Sequence, residues 1–137
     1  MTAVIWFVQL VTYPQFHDIG EANFREYHAN YTKRISMIVI PLMLLQLGSA
    51  IASIPAFWNH DWKTWMIFGS ICTLLTWAIT FFVQVPQHNS LSTGYSKATV
   101  VALVKGNWLR TFVWTAHSAI LVRLLREITG KHLSLLN

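Results

Sequence analysis

The stretch from Gly106 to Ser118 brings a guanidinium, an amide, an imidazole and two indoles together. At helical spacing Asn107, Arg110, Thr111, Trp114, His117 and Ser118 share one face, and Leu109, Phe112, Val113, Ala116, Ala119 and Ile120 fill the other. A guanidinium offers paired donors in a rigid fork, which suits an anion, an enol or a quinone-like oxygen. Asn107, one turn before Arg110, adds an amide donor to the same oxygen. His28 is the residue type for a general base at neutral pH. Plainer roles stand beside these. Arg34 and Arg110 lie near the starts of apolar runs and need no partner if they snorkel to an interface. His28 serves equally as an interfacial histidine, His88 as a loop residue past the end of a helix, and Trp114 as core. His117 lies about 10 Å deeper than Arg110 along a helix. A histidine inside a membrane is a candidate for function, and a hydrogen bond to a neighbouring helix explains it as well.

Composition constrains the elements that must position these residues. The chain has 137 residues, 54% hydrophobic and only 11% charged, with mean hydropathy +0.44. Soluble domains average about 25% charged. Long apolar runs with so few charges predict an integral membrane protein of one domain, an all-α bundle whose outer solvent is lipid. The net charge of +5 does not indicate nucleic acid, because no lysine or arginine cluster exists to hold phosphates. Cys72 sits alone in an apolar run, and no basic n-region or cleavage site marks a signal peptide.

Four spans are predicted, over 2–14, 35–54, 66–85 and 108–125. The first is short of the roughly 20 residues that a spanning helix needs. The stretch from Phe16 to Lys33 is the most charged and is broken at Gly20; from Glu21 onward Phe24, Tyr27, His28, Tyr31 and Ile35 recur at helical spacing. This spacing predicts an amphipathic helix continuous with the second span, with a kink at Pro41. A turn over 55–65 carries Trp58, Trp62 and Trp65 as an interfacial belt. Thr73, Thr76, Thr80, Gln84 and Gln87 stripe the third span, which is expected to end at Val85-Pro86. Ser96 is the expected N-cap of a short amphipathic helix ahead of the fourth span. Arg123, Arg126, Glu127, Lys131 and His132 form a polar tail.

Short loops make this an up-down-up-down bundle with amphipathic extensions at one membrane face. Tyr13 and His17, then His28, Tyr31 and Arg34, then Thr80, Gln84 and His88, then Asn107 and Arg110 all fall at that face. So do all four tyrosines. Six lysines and arginines lie at the site face and four at the other, which places the site face in the cytoplasm under the positive-inside rule. The expected location is the bacterial inner membrane. No metal-ligand spacing, phosphate-binding loop or serine-nucleophile motif occurs.

Tyr13-Pro14-Gln15-Phe16, then Phe24, Tyr27, His28 and Tyr31, then Gln84-Val85-Pro86, His88-Asn89 and Leu91, then Asn107-Trp108, Arg110-Thr111 and Trp114-Thr115, occur in one order and spacing. Together they resemble the anthrone-oxygenase-like family of small four-helix membrane proteins. Most members of that family are bacterial, and a few fungal ones are linked to oxidation of anthrones to anthraquinones. The resemblance covers most of the chain. Where the family often has a second arginine after the tryptophan, this chain has His117.

Three functions fit. The first is an oxidoreductase or oxygenase acting on a lipophilic aromatic or quinone-like molecule. His28 would be the base, Arg110 and Asn107 the oxyanion clamp, and Tyr13, Tyr31, Arg34, Gln84, His88, Trp114 and His117 the ligand-binding wall. The second is an accessory subunit of a larger membrane complex. The third is a carrier of a small lipophilic ligand.

Overall fold

The computed structural model describes residues 1–134. They form four helical rods, with no strand among the described residues. The first rod is α1, Thr2–Phe7, a π-helical turn, Val8–Thr12, and α2, Tyr13–Gln15. The second is α3, Glu21–Ala56. The third is α4, Lys63–Ile79, a second π-helical turn, Thr80–Gln84, and α5, Val85–Leu91. The fourth is α6, Lys97–Ser134. The side chains of Lys131 and His132, counted in the polar tail, lie outside the described residues. α3 packs beside α4, α4 beside α6, and α1 beside α6.

Three expected boundaries move. α3 runs through Pro55 to Ala56 before the chain turns. The expected short helix and fourth span are one helix, α6, capped where Ser96 accepts from the Thr99 N–H at 3.3 Å. The third rod does not end at Pro86 but continues to Leu91. A proline deletes one backbone bond and its ring crowds the carbonyl four residues back. Here a π turn ends two residues ahead of each of Pro14 and Pro86, with the N–H of Tyr13 on the Val8 carbonyl and that of Val85 on the Thr80 carbonyl. Such a turn inserts a residue and shifts the rest of the helix by about 100° around the rod. Each proline is thereby accommodated, and Gln9, Tyr13 and Gln84 are buried.

The threonines of α4 are satisfied by their own helix, as their stripe suggests: Thr73 donates to the Gly69 carbonyl at 3.0 Å and Thr76 to the Thr73 carbonyl at 2.7 Å. Gly94, at φ +154°, makes the turn into α6 in a conformation that disfavours side chains. Gly106 is needed for close approach. A Cβ there would stand 3.0 Å from Val83 Cγ1 and 3.2 Å from Gln84 Nε2. Gly106→Val is therefore expected to destabilise the protein by about 1–3 kcal/mol through overpacking. A thermal melt of the purified variant at or above the wild-type temperature would contradict this packing.

Apolar side chains cover the outside. Phe7, Leu10, Met37, Leu45, Ile51, Phe82, Phe112 and Leu125 are all exposed, and the buried core is small. α3, and the third rod from Lys63 to Leu91, are each long and apolar enough to cross a membrane. Only 6% and 17% of their most apolar windows are buried.

Candidate functional site

The ends of the first three rods meet around Phe16, which is fully buried. Its ring takes edge contacts from Tyr31 at 5.2 Å, Phe24 at 5.8 Å, His28 at 5.9 Å and Tyr27 at 6.0 Å. Phe16 was legible only as part of the Tyr-Pro-Gln-Phe stretch, since nothing in its type marks it as an organising residue. The gathering of all four tyrosines at this end is observed, with Tyr95 set edge-on to Phe24 at 5.1 Å.

A hydrogen-bonded chain runs through this cluster. His28 Nε2 lies 3.0 Å from His88 Nδ1, and His88 Nε2 lies 3.0 Å from the Tyr13 hydroxyl. That hydroxyl also reaches Gln84 Oε1 at 3.3 Å. Tyr13 has one proton to donate. If it donates to Gln84, then His88 donates to the phenol oxygen and accepts from His28. If it donates to His88, then His88 donates to His28, and Gln84 Oε1, which can only accept, is left without that hydrogen. Between these states the hydrogens of Tyr13, His88 and His28 change places along the chain. His28 Nδ1 is buried and has no partner in either state. Three of the four imidazole nitrogens of His28 and His88 are engaged in this chain, and no group of three or more metal-ligating side chains forms among the described residues.

Arg110 stands beside this chain, buried to 6% exposure. Its Nη1 donates to Asn107 Oδ1 at 3.4 Å, Asn107 Nδ2 donates to Gln9 Oε1 at 2.8 Å, and Gln9 Nε2 donates to the Val104 carbonyl at 3.3 Å. This ladder ties the guanidinium to the first rod. Its Nε is buried without a partner. Among the described residues no carboxylate reaches it, although Asp18, Glu21 and Glu26 lie in the sequence nearby; Arg123 and Glu127 form an ion pair elsewhere, at 3.2 Å. The charge of Arg110 acts on Tyr13, Tyr31 and His88.

Both features open on one cavity of about 400 Å³ between the first three rods. Its walls are Val4, Ile5 and Val8 from the first rod, Ile35, Val39 and Met43 from α3, and Trp77 and Phe81 from the third. Tyr13, Tyr31, Gln84, His88 and Arg110 form its polar end. The size suits a small organic molecule.

Six residues are placed otherwise than one of their expected roles requires. His88 is not a loop residue: the π turn before Pro86 keeps it helical and aims it at Tyr13 and His28. His28 lies behind His88 and does not line the cavity. The Asn107 amide is spent on Gln9 and Arg110, which makes it a positioning residue. Arg34 is exposed on the outer side of α3, as a snorkelling arginine would be. Trp114 and His117 point into a different cavity toward the opposite end of the rods. Gln9 was passed over because an amide in an apolar helix has many possible partners. No family model, curated protein or solved structure matches the chain.

Proposed function

We propose that this chain is a small integral membrane protein that binds a lipid-soluble aromatic molecule with an acidic hydroxyl or an enolisable carbonyl, and withdraws a proton from it. The membrane part is supported by the outward apolar surface. Two rods of spanning length leave most of their apolar windows exposed, whereas the polar side chains turn inward. In lipid that distribution lets the polar groups find one another.

The observation that carries the chemical part is Arg110, a buried guanidinium with no carboxylate partner among the described residues, facing an apolar cavity. A buried charge without a counter-charge is costly. A bound ligand that develops negative charge on oxygen would offset it. The ligand's C–H or O–H bond breaks, its electron pair moves onto the oxygen held by Arg110, and the proton enters the Tyr13–His88–His28 chain. With an anthrone the resulting carbanion-enolate is open to dioxygen, and the overall balance is anthrone plus dioxygen to anthraquinone plus water. This is the oxygenase reading suggested by the family resemblance, with His88 rather than His28 next to the ligand.

Two measurements test it. Alkaline carbonate washing of membranes should leave the protein in the pellet; release into the supernatant sinks the membrane reading. Protein purified into nanodiscs should bind anthrone and raise its enolate absorbance. No change in that band would reject the chemistry, and co-purification with a stoichiometric large partner would favour the accessory-subunit role instead.

A further inference from the structure

A second cavity, of about 340 Å³, lies between α3, α4 and α6, toward the turn at 57–62. It has none of the groups of the site above except a shared Met1 at its edge, and the buried cluster of Ile5, Met43 and Trp114 stands between the two. Its walls carry no charged side chain among the described residues. Leu42, Trp65 and Leu124 make it largely apolar. Its polar groups are Gln46, Trp114, His117 and a few hydroxyls.

The hydroxyls of Ser49, Ser53 and Ser70 already donate to carbonyls of their own helices. Gln46 differs. Both ends of its amide, Nε2 and Oε1, are buried and find no partner among the described residues, and neither does the Trp114 indole Nε1. An unmet donor and acceptor on one amide, with an indole donor on the same cavity, are costly if left so. Water alone is a poor answer. At ~30 Å³ per molecule the volume would take roughly ten waters, and most would face hydrocarbon. A single amphiphilic molecule answers better, because a hydroxyl is donor and acceptor at once and an attached ring or chain covers the apolar wall.

We propose that this second cavity binds an uncharged, lipid-soluble alcohol or phenol, its hydroxyl between Gln46 and Trp114 and its apolar body against Leu42 and Leu124. The proposal does not rest on the function assigned to the first cavity. Its lining has no guanidinium like that of Arg110, and its unpartnered groups are a neutral amide and a neutral indole, which suit a hydroxyl.

The test is photolabelling of the full chain in nanodiscs with a phenol bearing a trifluoromethyl-diazirine, followed by peptide mapping. Its methyl ether is the control. The phenol is expected to label residues in 42–53, 65–70 and 114–124, the segments lining this cavity, about tenfold more than the ether. Gln46→Leu should abolish that preference, and Arg110→Lys should leave it intact. Gln46→Leu removes an unpartnered amide and is expected to fold; if it does not, Trp114→Phe, which keeps the ring and removes the donor, serves in its place. Equal labelling by phenol and ether, labelling confined to the Arg110 cavity, or a preference unmoved in a folded Gln46→Leu variant each overturns the proposal.

Discussion

Arg110→Lys is expected to lower affinity for anthrone about 10- to 100-fold, the loss of one charge-assisted hydrogen bond with fork geometry, while the protein still inserts and melts normally. Lysine keeps the charge but cannot both bond Asn107 Oδ1, as Nη1 does at 3.4 Å, and present a second coplanar donor to the cavity. Arg110→Leu separates the two roles further. It removes a buried charge that has no carboxylate partner among the described residues, so the ligand-free protein is expected to melt at a higher temperature, because a buried charge without a counter-charge is costly. The same variant should bind no enolate. Enolate absorbance titrations and thermal melts of wild type and both variants in nanodiscs decide the matter. If a well-folded Arg110→Lys protein binds anthrone as tightly as wild type, Arg110 serves only the Asn107–Gln9 ladder and the oxyanion clamp is rejected.

The second large effect is expected at His88. It is bonded to both Tyr13 and His28, each at 3.0 Å, and it lines the cavity. His88→Phe keeps a ring of similar size beside Tyr13 and leaves that hydroxyl its bond to Gln84. Ligand binding should therefore change little. Proton withdrawal should slow by about 10²–10⁴, the usual contribution of a positioned general base. Exchange of anthrone methylene protons in deuterated buffer reads this step without any oxidant. His28→Ala should slow exchange less, because His28 is behind His88 and only extends the relay. Wild-type exchange in a His88→Phe protein that still binds anthrone would remove the relay from the mechanism. Equal loss of binding and exchange would make His88 a ligand-holding residue instead.

Much of this site is legible in the order of the residues. Four apolar segments with short connections must reverse at each turn, so the ends of the first and third and the starts of the second and fourth share one side. That argument alone gathers Tyr13, His28, Tyr31, Gln84, His88, Asn107 and Arg110, and all of them are found there. The spacing of Asn107 and Arg110 also determined that they share a face, and the structure bonds them.

Rotation about the rods was decided only by the tertiary structure. A periodicity of 3.6 residues predicts facing until an extra residue enters the helix, and nothing in Thr80 to Gln84 marks a π turn except the proline two residues beyond it. That one residue turns the rod by about 100°, enough to carry His88 from an expected loop to the centre of a three-residue hydrogen-bonded chain. The two arginines show the same limit. Arg34 and Arg110 both start apolar runs with similar flanks, yet Arg34 faces outward and Arg110 inward. Arg110 is held by Gln9 and Asn107, a ladder between the first and last rods that forms only once those rods are packed. His117 shares the Arg110 face by spacing. It lies about 10 Å further along, where the buried cluster of Ile5, Met43 and Trp114 divides the interior and leaves it in the other cavity. Composition and spacing determine which residues seek the interior and at which end. Packing between residues distant in sequence determines which of them touch.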